Sequence, residues 1–531
     1  MRVLHLGTSD YAGGAARAMY RWHASLRKLD VASKILCLNK SSEDESVSVL
    51  LANWEKPATV ECSGLQRYFI ESNRTTYSGT YFSHPLGYVS IADHELVQWA
   101  DVIHVHWTSL FFDWQEITKI KALGKAVVLT PHDLWAVTGG CHYPKDCDGY
   151  LKECLSCPML KEDPFLLISL SKELKQKVVA DAADVVLSPS NWMDEAFGNV
   201  KTLKRVRRAV IPYCVDVSQF RGRPKERSKQ ELGFEPQRRV VLFCAEYVNE
   251  GRKGLDQLID VLKTCESRHE LRRVLEQHTE FALIGKESDR VEIPTIFRVH
   301  RGGYVKTTED LCRYYSAADL LIYLGLEDNL PNVILEAMAC GTPVLAFNTG
   351  GIGDMITDGV TGGLVRRGDV TNFAGKLAVL LSDSKNLSWL GMNSRKAALH
   401  LFSDEVIGRE LRQLYETLGL RPIEPGKKES VSFDNSAFQN AAQRAIRAAL
   451  AKGYHSMEQE CHVLKGHLAK GEEENRLLRS QLIELRGDLD QLRDELDRER
   501  RRPLRDRFKE KLLQLLWRKT KGIVYRSNQS R

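Results

Sequence analysis

The chain of 531 residues has no long uninterrupted run of apolar residues. A membrane-spanning helix needs roughly 18 or more of them in succession, and no segment approaches that length. Residues 1–7 contain a short apolar stretch, without the longer one that a secretory signal peptide carries. The sequence therefore predicts neither a membrane-spanning helix nor secretion.

A disulfide framework is also missing from most of the chain. Most of the 12 cysteines stand singly in apolar segments, as Cys37, Cys244, Cys312 and Cys340 do. This pattern indicates buried thiols in a reducing compartment. We therefore expect a cytoplasmic protein.

Outside the C-terminal segment, the chain has little excess of charge of either sign. Residues 500–531 hold 12 Lys or Arg and 2 Asp or Glu, so this segment carries a net charge of +10. The whole chain carries +6, so the remaining residues carry −4. A nearly neutral body gives no reason to expect nucleic-acid binding. The basic segment predicts an anionic surface as its partner, such as the inner face of the plasma membrane.

Short apolar strands alternate with helical patterns through most of the chain. Residues 3–6, 33–38, 102–106, 126–130 and 184–188 predict strands of a first unit, and residues 239–244, 280–284 and 320–323 predict strands of a second. This alternation predicts an α/β fold with two doubly wound parallel-sheet (Rossmann-like) domains facing each other across a cleft. We place the domains at 1–212 and 213–402, with a closing helix at 403–420.

The remaining residues predict a helical extension. Residues 421–435 are rich in Pro, Gly, Ser and charge, which is typical of a linker. Residues 436–502 predict a coiled coil, and thus a homodimer, because leucines recur there at heptad spacing; a long helix packed on its own domain is the alternative. The leucines are Leu478, Leu482, Leu485, Leu489, Leu492 and Leu496.

Residues 503–531 form the basic tail. Leu504, Phe508 and Leu512 share one helical face with basic residues opposite, a pattern typical of a helix lying on a membrane surface. A solvated terminal helix or disorder is the alternative.

The most informative segment runs from Glu327 to Val344. It contains acidic and Asn residues, then Pro331, an apolar helical run and a Gly-Thr-Pro stop. The free N–H groups of a helix start attract phosphate, and Asp328 and Glu336 can accept hydrogen bonds from hydroxyls. We interpret this segment as a pocket for a sugar nucleotide, with the two carboxylates about two helical turns apart.

These residues resemble the nucleotide-sugar motif of family 4 of the retaining glycosyltransferases, in which seven residues separate two acidic ones. The order of several other motifs strengthens the resemblance, which covers roughly residues 1–420. The first acidic residue is Asp328 instead of the usual Glu, and Glu327 stands beside it. The motifs are Gly13-Gly14, Pro131-His132-Asp133, Arg252-Lys253-Gly254 and Gly350-Gly351.

The resemblance implies the GT-B arrangement, in which the last helix often crosses back to the first domain. It also implies roles for individual residues. Glu336 is expected to bind the ribose, and Asp328 or Glu327 the sugar. Backbone N–H groups in the segment from Leu330 to Val333, which also contains Pro331 and Asn332 and follows Asn329, are expected to hold the diphosphate. Gly13 and Gly14 border the cleft, Arg252 and Lys253 neutralise the leaving diphosphate, and His132 contacts the transferred sugar.

The reaction that the resemblance implies is sugar transfer from a nucleotide-diphosphate sugar to an acceptor hydroxyl, with retention of configuration. Front-face attack needs no cofactor for the chemistry, because catalysis is mainly positioning and charge stabilisation. The expected acceptor is a saccharide or a lipid-linked molecule of cell-surface polysaccharide or glycolipid synthesis.

One cysteine cluster is independent of this resemblance. Cys141, Cys147, Cys154 and Cys157 lie within 17 residues and end in Cys-x-x-Cys. In a cytoplasmic chain such a group predicts a closed structural zinc site. Unligated thiols or two disulfides are the alternatives.

Two other functions remain open at this point. A sugar-phosphate enzyme of the same architecture, an epimerase or a phosphorylase, would bind a similar anion. A non-catalytic scaffold of a polysaccharide assembly complex would use the coiled coil and leave the cleft without activity.

Overall fold

The computed structural model describes residues 1–53, 57–77, 79–294, 296–419 and 436–448. The strands are β1 (Arg2–Ser9), β2 (Ala32–Asn39), β3 (Val47–Val49), β4 (Val102–Val105), β5 (Ala126–Leu129), β6 (Val185–Ser188), β7 (Arg208–Val210), β8 (Arg239–Tyr247), β9 (Thr279–Lys286), β10 (Arg298–Gly303), β11 (Leu320–Tyr323), β12 (Val344–Asn348) and β13 (Gly362–Arg366).

Helices connect these strands and cover both faces of the sheets. They are α1 (Gly14–Lys28), α2 (Pro57–Gly64), α3 (Glu95–Trp99), α4 (Glu116–Ala122), α5 (Leu167–Ala182), α6 (Asn191–Gly198), α7 (Lys225–Glu231), α8 (Leu255–Ser267), α9 (His269–His278), α10 (Thr308–Ala317), α11 (Asn332–Ala339), α12 (Ile352–Met355), α13 (Val370–Ser382), α14 (Ser384–Leu401), α15 (Asp404–Gly419) and α16 (436–448). None of the described helices is long and apolar enough to cross a membrane.

The strands form two parallel sheets. The first has the order β3-β2-β1-β4-β5-β6-β7, and the second has the order β10-β9-β8-β11-β12-β13. In each sheet the chain reverses its winding direction beside the first strand, between β1 and β4 and between β8 and β11, which leaves a crevice at the strand ends. The prediction of two doubly wound parallel-sheet domains is confirmed.

Burial explains which strands the sequence reveals. Every residue of β4, β6 and β11 is buried, because helices cover both faces of the sheets, so these strands read as continuous apolar runs. The three-residue β3 and the partly exposed β10 lie at sheet edges, and the sequence did not predict them.

Helix α15 returns to the first domain, as the resemblance implied. Gly408 packs against α1, where an added Cβ would lie 3.2 Å from the Cβ of Ser25. Lys28 of α1 binds Asp404 at 2.6 Å, and the Tyr415 hydroxyl lies 2.6 Å from Nδ1 of His104. These contacts join the end of the second domain to the first domain beside the connecting segment 211–224, whose Asp216 also binds Lys28, at 3.0 Å.

Helix α16 corrects part of the coiled-coil prediction. Its residues Phe438, Ala441, Ala442, Ala445 and Ile446 are buried in the hydrophobic core of the first domain. Because this apolar face is covered by the protein's own domain, residues 436–448 do not offer it to a partner helix. The linker at 421–435, the leucine heptads and the basic tail lie outside the described residues.

Candidate active site

The cleft between the two domains has a volume of about 380 Å³ and is bordered by the C-terminal ends of strands from both sheets. All the predicted catalytic and donor-binding residues line it, with the exception of Glu327. Those residues are Gly13, Gly14, His132, Arg252, Lys253, Asp328, Asn329, Leu330, Pro331, Asn332, Val333 and Glu336. Within each sheet the carboxyl ends of the parallel strands share one edge, and the two edges face each other across the cleft.

Arg252 and Lys253 occupy a tight turn after β8. Gly254 ends this turn with φ of 89°, and a Cβ there would lie 2.1 Å from the carbonyl oxygen of Leu324. Only glycine satisfies both conditions, so the turn packs directly on the end of β11. This packing brings the two cations next to Asp328, which follows β11.

Asp328 lies at the centre of a charged cluster. Its Oδ2 accepts hydrogen bonds from Lys253 Nζ at 2.6 Å, from Arg252 Nη1 at 3.2 Å and from the Tyr323 hydroxyl. Burial alone would raise the pKa of Asp328, but the charges of Lys253 and Arg252 outweigh it and hold this pKa well below its usual range. The carboxylate is therefore ionised and faces the cleft between two cations.

Glu327 faces away from the cleft. Its carboxyl oxygens accept hydrogen bonds from the backbone N–H of Lys145 at 2.9 and 3.1 Å. Burial raises the pKa of Glu327 to about 7, against the opposing effect of that hydrogen bond and of nearby arginines. Of the two adjacent carboxyls, Asp328 thus has the position and charge for a ligand contact, and Glu327 ties the second domain to the loop after His142.

The raised pKa of Glu327 predicts a specific pH dependence of stability. The folded state binds this proton more tightly than the unfolded chain, so the free energy of unfolding falls as the pH rises from 4.5 to about 7. We expect the Glu327→Gln variant to lose this dependence and to be more stable than the wild type at pH 8, by about 2–3 kcal/mol.

Urea unfolding of both proteins at pH 5 and pH 8 measures the effect. The Glu309→Gln variant, at an exposed carboxyl that pairs with Arg313, is a control. An equal pH dependence in the wild type and Glu327→Gln would contradict the assignment.

Glu336 is buried and already accepts hydrogen bonds from side chains of the protein. Helix α11 begins at Asn332, so Asp328 lies in the loop before it, and its separation from Glu336 is not set by two full helical turns as the spacing predicted. Glu336 is 1% exposed; its Oε1 accepts a bond of 2.5 Å from Nη2 of Arg21, and its Oε2 one of 2.8 Å from the Tyr315 hydroxyl. A carboxylate has about four acceptor sites, so two remain for a ligand.

Sequence reasoning missed Arg21 because it lies in α1, 315 residues from Glu336. Arg21 also donates from Nη1 to Oδ1 of Asn332 at 3.2 Å. The signal that could have found it is a cation on the helix face that carries Ala18, Trp22 and Leu26. This buried ion pair joins the two domains at the mouth of the predicted ribose site.

Further polar contacts hold the domains together around the cleft. Asn329 donates from Nδ2 to the backbone oxygen of His132 at 3.2 Å and accepts from the Ser190 hydroxyl at 2.7 Å. Asn332 donates from Nδ2 to the Gly14 backbone oxygen at 2.9 Å. Gly350 lets its own backbone pack closely against that of Asp328, since a Cβ at its φ of 56° would lie 1.7 Å from the Asp328 carbonyl oxygen.

His132 lies in the cleft wall, and both of its ring nitrogens are bonded within the protein. Nε2 lies 3.0 Å from Nδ1 of His106, and Nδ1 lies 2.6 Å from the hydroxyl of Tyr213. Burial lowers the pKa of His132 to about 4, so the ring is neutral. Both ring nitrogens are thus engaged within the protein, and a contact of His132 with the transferred sugar stays a prediction.

The cysteine cluster does not support the predicted zinc site. Cys141, Cys147, Cys154 and Cys157 surround a separate small cavity, but no three of their sulfur atoms lie within 4.8 Å of one another. Tetrahedral zinc requires its sulfur ligands about 2.3 Å from one ion, hence closer together than this. Burial raises the pKa of Cys141 and Cys157, which disfavours thiolates there.

Elsewhere in the described ranges, one group of side chains has metal-ligand spacing. It consists of His5, His104 and His106, all in the core of the first domain. Both nitrogens of His104 are bonded, to Tyr415 and Thr130, and both of His106 to other histidines. The ring nitrogens of His104 and His106 are thus engaged in a protein hydrogen-bond network, whereas Nε2 of His5 has no hydrogen-bond partner among the described residues.

Comparison with known proteins finds a family match over part of the chain. Residues 238–383 match the family model described as glycosyl transferases group 1. The chain carries a group 1 glycosyltransferase domain. This domain contains β8 to α13, and hence Arg252, Lys253, Asp328 and Glu336.

Curated relatives are similar over part of their length. The D-inositol 3-phosphate glycosyltransferase of Nocardia farcinica is 28% identical over 238 residues, which are 42% of this chain and 51% of that protein. The capsular polysaccharide biosynthesis glycosyltransferase CapM of Staphylococcus aureus is 30% identical over 113 residues, 21% of this chain and 30% of that protein. The chain thus spans about half or less of the length of these two relatives.

A solved structure shares the fold around the group 1 domain. HepE of Anabaena, in complex with UDP-glucose, superposes with a TM-score of 0.53 at 15% identity, over 78% of this chain and all of that protein. The likeness shows the GT-B arrangement of both domains. Outside the group 1 domain, the first domain supplies Gly13, Gly14 and His132 to the cleft.

Proposed function

We propose that this protein is a retaining glycosyltransferase that moves a sugar from a nucleotide-diphosphate sugar to an acceptor hydroxyl. The observation that supports it most is the cluster of Asp328, Lys253 and Arg252 in the interdomain cleft. An ionised carboxylate binds sugar hydroxyls, and two adjacent cations match the two negative charges of a leaving diphosphate. HepE, with the same fold, is known in complex with UDP-glucose.

The diphosphate site combines these cations with a helix start. Asn332 and Val333 are the first residues of α11, so no helical carbonyl accepts their backbone N–H groups. These N–H groups and Lys253 would hold the diphosphate, which would draw Lys253 away from Asp328. Asp328 then has acceptor capacity for the sugar, and Glu336 keeps two acceptor sites for the ribose.

The reaction itself needs positioning more than a protein base. As the glycosidic bond breaks, negative charge grows on the diphosphate next to Lys253 and Arg252, which stabilise it. The acceptor hydroxyl attacks from the same face, and its proton passes to the leaving phosphate oxygen. Closure by the Arg21–Glu336 pair and by the contacts of Asn329 would exclude water from this step.

The first experiment screens the full chain against common nucleotide-diphosphate sugars by thermal unfolding. A donor at a hundred times its dissociation constant is expected to add about 2.7 kcal/mol to the free energy of unfolding. The Asp328→Asn variant is the matched control, because it keeps size and loses the charge that holds the cluster. Release of nucleotide only when a saccharide acceptor is present completes the test.

The other outcomes favour the alternative functions. Stabilisation by a sugar phosphate, with no effect of any nucleotide sugar, would favour an epimerase or a phosphorylase. No stabilisation by either class, in folded protein, would favour a scaffold. Retention is tested by the anomeric configuration of the product, and an inverted product would contradict that part of the proposal.

The acceptor and the cellular setting are part of the same proposal. CapM is named for capsular polysaccharide biosynthesis, which supports a saccharide or lipid-linked acceptor. The basic segment at 500–531 would hold the enzyme at the anionic inner face of the membrane, beside such an acceptor. Dimerisation through the leucine heptads remains a prediction about residues outside those described.

A further inference from the structure

A line of hydrogen-bonded side chains runs from the core of the first domain to the cleft. Nδ1 of His5 lies 2.9 Å from Nε2 of His106, Nδ1 of His106 lies 3.0 Å from Nε2 of His132, and Nδ1 of His132 lies 2.6 Å from the Tyr213 hydroxyl. We call these four residues the histidine chain. Tyr213 lines the cleft and stacks on His132, with ring centroids 5.4 Å apart.

The three imidazoles are neutral. Burial lowers the pKa of His132 to about 4 and those of His5 and His106 well below the usual value. A neutral imidazole donates through one nitrogen and accepts through the other. The histidine chain therefore has two possible directions: either every member donates toward His5, or every member donates toward Tyr213.

The inner end of the chain favours one direction. Within the described residues, Nε2 of His5 is buried and has no hydrogen-bond partner. If the members donated toward His5, this nitrogen would carry a buried N–H without an acceptor, a state that folded proteins rarely tolerate. In the opposite direction the same nitrogen holds only a lone pair.

The outer end favours the same direction. The charges of Asp328 and Asp133 are close enough to Tyr213 to add to the effect of burial in raising the pKa of its hydroxyl. Negative charges in the cleft attract the hydroxyl proton toward it. Tyr213 then accepts from Nδ1–H of His132 and keeps its own proton for a ligand.

We propose that Tyr213 donates a hydrogen bond to a hydroxyl of the transferred sugar, and that His132, His106 and His5 are positioning residues that fix this direction. The inference rests on the proposed transferase function. Asp328 only accepts, so a second group that donates makes the site complementary to a ligand whose hydroxyls do both. The ligand class that fits both a donor and an acceptor is a neutral polyol. A site that binds only phosphate would not need this combination.

The direction of the hydrogen bonds in the histidine chain can be tested without any substrate. Histidine-selective ¹⁵N NMR of the full chain is expected to show His5, His106 and His132 as Nδ1–H tautomers, assigned with single His variants. An Nε2–H tautomer at His5 would overturn the proposal. This measurement remains valid if no nucleotide sugar binds, so failure of the transferase function and failure of this inference are distinguishable.

Kinetics with the donor found by screening test the role of the chain. Tyr213→Phe and His5→Leu are each expected to lower kcat/KM by about tenfold or more, and the double variant by no more than the larger single effect. Independent, multiplicative effects would overturn the proposal. His5→Asn places an amide donor near the Nδ1 position and is expected to keep most of the activity that His5→Leu loses. If His5 only fills space, His5→Leu is expected to be more active than His5→Asn.

Tyr415→Phe is the matched control. It removes a hydroxyl bonded to His104, whose ring centroid lies 5.3 Å from that of His5 but which is not a member of the histidine chain. We expect it to change kcat/KM by less than about threefold and to combine multiplicatively with Tyr213→Phe. A loss as large as that of His5→Leu would show that any disturbance of this core lowers activity, and would overturn the positioning role.

Discussion

Replacing Lys253 with Met is expected to lower kcat by about 10²–10³-fold, with a smaller change in KM. Lys253 Nζ lies 2.6 Å from Asp328, in the wall of the cleft, where the leaving diphosphate would develop its charge. Burial and the neighbouring Arg252 lower the pKa of Lys253, while Asp328 opposes this shift. The ammonium is thus held in a poorly solvated place, where its charge has a large effect on a developing anion.

Steady-state kinetics with the identified donor and acceptor measure this loss. Lys286→Met is the matched control, since Lys286 is partly exposed, pairs with Glu246 at 3.3 Å and does not line the cleft. We expect Lys286→Met to keep activity within about threefold of the wild type. Equal activity of Lys253→Met and the wild type would show that the diphosphate is neutralised by other groups.

Replacing Glu336 with Ala is expected to lower the free energy of unfolding by about 3–5 kcal/mol and to abolish stabilisation by the donor. The change leaves the guanidinium of Arg21 buried without its ion-pair partner, since the side chain of Arg21 is only 9% exposed. It also removes the acceptor of the Tyr315 hydroxyl. Urea unfolding with and without the donor measures both effects.

A double variant separates stability from binding. Replacing Arg21 and Glu336 together by Met removes both charges, so most of the lost stability is expected to return, as for other buried ion pairs replaced by apolar side chains. Donor binding is expected to stay absent, because the ribose has lost its acceptor. If the donor stabilised the double variant as much as it stabilises the wild type, Glu336 would be excluded from the nucleotide site.

The sequence by itself determined the architecture and most of the cleft lining. Strands such as β4 and β11 are buried on both faces, so their apolar runs are visible without a structure. Two motifs follow β1 and β5 of the first sheet, and two follow β8 and β11 of the second, so each pair was expected at one edge of its sheet, with both edges facing the predicted cleft. Hence Gly13, His132, Lys253 and Asp328 could be assigned to one cleft.

Local patterns failed where burial is incomplete or comes from a distant segment. Strand β10 carries exposed and half-exposed residues at a sheet edge, and so has no apolar signature. Helix α16 has an apolar face, but the sequence cannot tell whether a partner helix or the core of the first domain covers it. The spacing of four cysteines likewise suggested zinc, whereas their sulfur atoms do not converge.

Only the tertiary structure decided which charged groups pair and in which direction each side chain faces. Glu327 and Asp328 are neighbours in sequence, yet one is held by the Lys145 backbone and the other by Lys253. Arg21 meets Glu336 across 315 residues, and His5 meets His106 across 101. The contacts of Arg21 with Glu336 and of Lys145 with Glu327 depend on how two separately wound sheets close on each other, and local sequence periodicity carries no information about that closure.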